Sequence, residues 1–534
     1  MKNKKWIYYL GLFIFGMGAI QACKSYHFRS NYKDVNSLMH ESKNLQTKLF
    51  LKAHLKNGDI CILQDSWTID TLSNSVLGNG TQYDFNREIS FKGPLSIPID
   101  SVAIFETNKK LNDSEKSRIG ALSILAGVDV ILGVICLSSP KACFGSCPTF
   151  YINEEDDFHY SDAEGFSNAI SPSLEYSDID ALQEVDLNDS VFSITMKNEA
   201  LETHCINDVL LLAYPKLDNQ RIYQSPSNDF YLCENNYLLT KAEGKEGDIT
   251  HLIDKDDRME RFSLSDPNNL SSKEELYLEF DAIQESEQLG LILNFRQTMM
   301  TTYLIYSAMG YMGNEVGDIF ARIENDKNTK EKLGNKIEKE LGNIDIYVWN
   351  DRLSIWDYQS GFNETGPIAI NRQFIPLKYN GASSKVKVKI ILNSGLWRID
   401  YAALTNIKEK VEPIAISPST ILNKGKLDTK ALKSLTAEDE YLISMPGSAF
   451  KFEFHLPKAD TDYELFLYSK GYYLEWMREH WLKDKDLFKL KELIDNPEKF
   501  LKREAELYKE YETTMESEFW NSKIDTKTFS FHEN

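Results

Sequence analysis

The sequence predicts a mainly β protein with α additions, and three observations carry that expectation. Short period-two runs bounded by Gly and Asn recur from about residue 49 to residue 405. Two long apolar runs stand apart from this pattern, one at the N-terminus and one at 119–137. From Asn496-Pro497 onward the residues are good helix formers of mixed charge. The expected parts are a small SH3- or Sm-like barrel, a hydrophobic helix, one or two β-sandwich regions and C-terminal helices. At 534 residues the chain is too long for one core, and about 150 residues per domain gives three or four.

The first 22 residues read as a signal peptide. Lys2, Lys4 and Lys5 form a cationic start, Trp6 to Ile20 is almost wholly apolar, and Ala22 precedes Cys23. Ile20-Gln21-Ala22-Cys23 has the form of a lipobox, which makes Cys23 the lipidation site and the mature N-terminus. Residues 23–45 are then a polar tether. The expected address is the cell envelope, held to a membrane, in the first instance the outer membrane, through the lipid.

Residues 46–110 carry the small barrel. Leu49, Leu51, Ala53 and Leu55 alternate with polar partners, Asn57-Gly58 signals a hairpin, and Ile60 to Leu63 answers it. Runs at Trp67–Leu72, Thr81–Phe85 and Val102–Phe105 follow, and IPIDSVAIFET reads as the closing strand. Residues 111–140 contain the second apolar run, IGALSILAGVDVILGVICL, with Asp129 at its centre. A carboxylate there costs about 2.5–3.5 kcal/mol on insertion, so a packed hydrophobic helix is favoured over a membrane span.

Residues 141–240 are expected to be a β-rich domain opened by CFGSCP. Residues 241–465 repeat the theme in LYLEFDAI, LGLILNF, IDIYVWN, LSIWDY, KVKVKII and LWRIDYAAL, a sandwich with helical insertions at Thr301–Arg322 and Asn328–Leu341. Residues 466–534 are expected to be helical, beginning with Tyr472 to Trp481, where Tyr473, Trp476, Met477 and His480 fall on one helical stripe. Asn496 as N-cap with Pro497 at the first position marks a further helix.

Composition narrows the function. A net charge of −21 excludes phosphate backbones as partners, so no nucleic acid is expected. Seven cysteines less a lipidated Cys23 leave six, in a compartment that permits disulfides. Cys143 and Cys147 are the one close pair. Gly145 lets the segment fold back, so a structural disulfide clip is expected. The alternative is a thiol or copper site, because CxxxCP resembles the copper motif of the Sco family, with His204 as third ligand. Against it, a strand-like TFYI follows the cysteines instead of a helix.

Other candidates are weaker. Glu154, Glu155, Asp156 and Asp157 lack the alternating spacing of a calcium loop. In NEALETH, Glu202 and His204 share a strand face while Glu199 points away. Signatures of metallopeptidases, serine hydrolases, phosphate loops and dinucleotide binding are absent. No cofactor is implied, and catalysis is not expected. Trp356, Trp397 and Trp476 are the residues whose exposure would favour a glycan platform.

Taken in chain order, the lipobox, IPIDSVAIFET, the apolar segment, CFGSCPTFY, AEGFSNAISPSLEYSDIDAL, NEALETH and YSKGYYLEWM resemble a family of bacterial envelope lipoproteins with no assigned activity. The resemblance is strongest from about 50 to 215 and implies location and architecture, not site residues. The expected role is a non-catalytic binding or scaffold protein of the envelope, with an envelope protein or a glycan as partner. The alternatives are a glycan-binding or carbohydrate-active sandwich, then thiol or copper chemistry.

Overall fold

The computed structural model describes residues 26–32, 51–55, 59–63, 67–70, 72–83, 89–111, 147–152, 160–167, 169–170, 172–183, 185, 190–281, 288–313, 316, 319, 339–362, 366–379, 385–437, 440–458, 461–475, 481 and 484–527. Within these the protein is mainly β, built from several sheets with helices added, and sandwich-like. Cys23, the signal segment, the apolar run 119–137, Cys143, the acidic loop 153–157 and Trp476 lie outside the described residues.

Residues 26–111 supply β1 (Tyr26–Tyr32), β2 (Leu51–Leu55), β3 (Ile60–Leu63), β4 (Thr68–Asp70), β5 (Ser75–Tyr83), β6 (Ile89–Pro98) and β7 (Val102–Leu111). Residues 149–215 supply β8 (Thr149–Tyr151), β9 (Ala163–Glu164), β10 (Tyr176–Leu182), β11 (Val191–Lys197) and β12 (Glu202–Pro215). Next come β13 (Gln220–Gln224), β14 (Phe230–Gly244), β15 (Gly247–Asp248), α1 (Thr250–Ile253), β16 (Arg261–Phe262), β17 (Lys273–Asp281) and β18 (Leu289–Gln297). Then α2 (Met300–Met312) leads to β19 (Ile344–Asn350), β20 (Ile355–Phe362), β21 (Asn371–Pro376), β22 (Lys385–Asn393) and β23 (Trp397–Val411). The last strands are β24 (Ile414–Ile416), β25 (Thr420–Asn423), β26 (Lys426–Leu427), β27 (Leu442–Ser444), β28 (Ala449–His455) and β29 (Tyr463–Glu475), with α3 (Thr429–Thr436) among them. Helices α4 (Leu487–Asp495), α5 (Pro497–Lys509) and α6 (Met515–Asn521) follow.

The first sheet runs β1-β7-β2-β3-β5-β4, with β6 also on β5. The β2–β3 hairpin expected across Asn57-Gly58 is present, with Leu51 opposite Leu63. Leu51, Ala53, Cys61, Leu63, Val76 and Ile97 form its own small core. Part of the expected tether is strand: Tyr26–Tyr32 pairs β7 along its whole length. His54 docks this sheet on the rest, its Nδ1 2.6 Å from the hydroxyl of Tyr472 with the rings stacked.

Two further sheets mix early and late strands. One runs β10-β29-β12-β24 with β27 on β12, the other β26-β25-β28-β11-β8-β9. Their facing side chains, including Phe150, Ile194, Ile206, Leu211, Phe452 and Leu467, share one core. The fourth and largest sheet is assembled entirely from residues 220–411, β13 to β23, running β16-β23-β18-β21-β13-β14-β17-β22-β19-β20 with β15 on β14. Strand β14 also pairs β23, so β23, β18, β21, β13 and β14 form a ring of pairings around Tyr223, Cys233, Ile292, Phe374 and Ala403. The sequence boundary expected at 240/241 therefore falls inside β14.

Tyr472–Glu475, where the stretch expected to be helical begins, is instead the end of β29, and residues 476–480 lie outside the described residues. The reason is burial. Strand β29 is covered on nearly every residue, so its apolar positions show no period, and a short apolar run without period cannot be assigned from sequence. The helix predicted at Thr301–Arg322 is found as α2, and that at Asn496-Pro497 as α5, where the Asn496 side chain accepts from Lys499 N. The C-terminal helices hold the large sheet through Arg296. That guanidinium is 1% exposed and grips Glu260 at 2.5 and 2.6 Å, Glu516 of α6 at 2.6 Å and the Pro367 carbonyl at 2.9 Å.

Strand β29 meets β12 without room for a side chain at Gly471, where an added Cβ would lie 2.4 Å from the Cys205 carbonyl oxygen. Backbone cannot move aside as a side-chain tip can. Gly471→Ala is expected to lower the unfolding free energy by about 1–3 kcal/mol, the range for overpacking. Chemical denaturation followed by tryptophan fluorescence measures this, and an unchanged midpoint would refute the close approach.

Candidate functional site

Several sequence candidates meet in the core between the two mixed sheets. Glu202 and His204, two residues apart on β12, share a face as expected. Both are fully buried, with His204 Nε2 2.8 Å from Glu202 Oε1. Tyr473 of β29 stands edge-on to the His204 ring, and its hydroxyl donates to the Ser167 carbonyl. Glu199 does point away. Its carboxylate accepts from Thr149, from the Tyr151 hydroxyl at 2.7 Å and from Lys523 Nζ at 2.8 Å.

Cys147 is a free thiol, and no disulfide is formed among the described residues. Its Sγ donates to Glu164 Oε1 at 2.8 Å, while Glu164 Oε2 accepts from the backbone N–H groups of Ile368 and Ala369. The Glu164 carboxyl fits over Gly366, where a Cβ would come within 2.0 Å of it. Glu164 thereby fastens β9 to the segment that leads into β21. Burial, then the Glu164 and Glu202 carboxylates, push the Cys147 thiol well above its ordinary range, so it stays protonated and is a poor nucleophile. Among the described residues no three His, Cys, Asp or Glu side chains are placed to hold a metal ion. The contact of Cys147 with Glu164 joins the entry of β8 to β9 and to the segment before β21, and that of His204 with Glu202 lies within β12.

Burial also pushes the Glu164 carboxyl up to about 7 and that of Asp178 to about 6, and burial raises Asp180 with Asp178 beside it. No ion pair is made by any of these three among the described residues. They follow from packing two sheets and an intervening segment against one acidic edge.

A different arrangement lies on the solvent side of the large sheet. On β17, β22 and β19, Leu276, Leu278, Phe280, Val386, Val388, Ile390, Ile344, Ile346 and Val348 turn inward and are buried. The alternate positions turn outward, and several are aromatic. Cross-strand register sets Tyr277 opposite Lys389, Lys389 opposite Tyr347 and Tyr347 opposite Tyr358. Two residue pairs further along, Trp349 faces Trp356. Four strands at ~4.8 Å spacing make this row about 14 Å wide.

The rings touch each other and one cation. Centroids are 5.3 Å apart for Tyr347–Tyr358 and for Trp349–Trp356, and 5.9 Å for Tyr277–Trp356. The Lys389 ammonium lies 5.0 Å from the Tyr347 ring and 5.5 Å from Trp356. Glu275 is 3.7 Å from Lys389, and the Tyr277 hydroxyl donates to Glu275. Tyr358 is 57% exposed and Tyr277 40%, high values for large rings on a sheet face.

Of the three tryptophans singled out in the sequence, Trp356 is half-buried in this row and Trp397 is buried against Phe295. Tyr277, Tyr347, Trp349, Tyr358 and Lys389 were not singled out. The signal was present in IDIYVWN, where Ile344, Ile346 and Val348 hold one phase and Asp345, Tyr347 and Trp349 the other. Aromatics in the polar phase of an amphipathic strand mark an exposed aromatic face.

No protein-family model matches the chain, and comparison with curated proteins gave no significant match.

The Glu164 carboxyl sets a pH dependence whose sign is fixed. Its folded pKa, about 7, exceeds the ordinary 4.5, so its contribution is fully present below about 4.5 and lost as pH rises through 7. Glu164→Gln is expected to flatten the fall in thermal stability between pH 5 and pH 7.5. Calorimetric melts of both chains across that interval test it, and parallel pH profiles would remove Glu164 as the titrating group.

Proposed function

We propose that the chain is a lipid-anchored, non-catalytic binding protein of the bacterial cell envelope, and that its ligand is a glycan. The observation that carries the ligand class is the solvent-facing row of Tyr277, Tyr347, Trp349, Trp356 and Tyr358. A sugar ring has an apolar C–H face and a rim of hydroxyls. Aromatic rings take the face, and flanking carboxylates and an ammonium take the rim. Glu275, Asp345 and Lys389 are in position to do so on the outward side of β17, β19 and β22. Exposed apolar groups clustered on one face of a soluble domain mark interaction surfaces.

Export and anchoring rest on the cationic start, the apolar run and Ala22-Cys23. Several acyl chains on Cys23 would hold the protein firmly, whereas one chain would not. Among the described residues no helix is long and apolar enough to cross a membrane. The topology of the first sheet supports the SH3- or Sm-like barrel expected there. Strands β2, β3, β5 and β6 run as a meander, a 3-10 turn at Ile99–Ser101 follows, and β7 returns to β2.

On a glycan array, the wild-type chain is expected to retain a defined set of saccharides. The Tyr347→Ala, Trp356→Ala double variant should lose that signal at least tenfold with an unchanged far-ultraviolet dichroism spectrum. Retention unaffected by the double variant would move the site elsewhere. Separately, Cys23→Ser is expected to shift the protein from the membrane pellet to the soluble fraction, and continued pelleting would overturn the anchor.

A further inference from the structure

We infer that the glycan on this face is a single, neutral chain that twists from unit to unit, not the flat surface of a crystalline polysaccharide. This rests on the glycan reading and goes beyond it by fixing the form of the substrate. The first argument is the inclination of the rings. Tyr277 and Trp356 are inclined at 56°, Tyr347 and Tyr358 at 64°, and Trp349 and Trp356 at 65°. A crystalline face offers many sugar rings in one plane and needs aromatic rings that share that plane. No single plane lies flat on two rings inclined at such angles.

A lone chain has no such requirement. Rotation about its glycosidic bonds turns successive sugar faces to successive aromatic faces. The centroid spacings of 5.3 to 5.9 Å are comparable with one pyranose unit. The twist between neighbouring strands, roughly 20–25°, adds to the inclination and is fixed by backbone sterics.

The second argument is charge. The outward residues of β17, β22 and β19 carry four acids, Glu275, Glu279, Asp281 and Asp345, against four lysines, Lys273, Lys385, Lys387 and Lys389. Lys385 is 3.0 Å from Glu279 and 3.9 Å from Asp281, and Lys389 is 3.7 Å from Glu275. The strip is balanced, and Lys385 and Lys389 are paired within it. The chain as a whole is at −21, which repels polyanions at a distance. A uronate or phosphate-bearing polymer finds neither a local cationic excess nor a favourable long-range field.

The test is native gel electrophoresis of the detergent-solubilised full chain in gels containing hydroxyethylcellulose, mannan, xylan or dextran, or polygalacturonate. Sedimentation with microcrystalline cellulose and with crystalline chitin runs beside it. The expected result is retardation by at least one soluble neutral polymer, weakened tenfold or more by Trp356→Ala, and no co-sedimentation. Tyr358→Ala, at the more exposed end of the row, serves as the second variant if Trp356→Ala fails to fold. Co-sedimentation without retardation would overturn the single-chain inference and leave the glycan reading standing. Retardation by polygalacturonate alone would overturn neutrality, again leaving that reading. No interaction with any probe would bring down both.

Discussion

The frame of mixed sheets depends on a strand that arrives late. β29 lies antiparallel to β12 from Glu202 opposite Glu475 to Pro215 opposite Tyr463, with one bulge near Ile206, and on its other edge it pairs β10. The frame of two mixed sheets is therefore incomplete until the chain has been made almost to its end. Pairings between residues so far apart in sequence close large loops, and folds dominated by them form slowly. The glycine at 471 is what lets the two backbones meet at the bulge.

Buried charge then joins the pieces that hydrophobic packing alone leaves free to slide. Arg221 of β13, its own side chain still half exposed, grips the buried Glu464 of β29 with two 2.8 Å bonds, which ties the large sheet to the frame. Arg261 is held between Glu246 and Glu274, and Arg296 between Glu260 and Glu516. Taking such ions out of water is costly, and removing one partner from a buried pair is costlier still. These pairs therefore fix geometry more than they add stability. Glu164 does the same work without a cation, by accepting from a thiol and two backbone N–H groups.

Much of this was legible in the sequence where one face is wet. The alternation in KVKVKII found β22, and Asn496-Pro497 found the start of α5, because each pattern reflects a boundary between core and water. Strand β2 was found from its alternation and hairpin signal although Lys52 and His54 are themselves buried. Strand β29 was misread for the opposite reason: wet on neither side, it has no period. Tyr26–Tyr32 looked like tether because its partner, β7, is distant in sequence. At the site, Glu202 and His204 were placed correctly on one strand face. Their burial depends on β29, which no local pattern announces. The aromatic row was half-visible, since each strand showed aromatics in its polar phase. Their alignment across four strands is a matter of register, which is set by tertiary packing.

Strand β24 begins at Ile414 and pairs directly with the end of β12, Ala213 opposite Ile414. The chain thus leaves the frame at Pro215 and re-enters it on the neighbouring strand nearly two hundred residues later. In evolutionary terms the frame is a host and the large sheet a guest, received through a single doorway. A guest whose two ends share a doorway can be lengthened, reshaped or exchanged between hosts without rethreading the frame. Its seams, at Glu464, at Glu164 and with the C-terminal helices at Glu504, Glu512 and Glu516, would have to be remade.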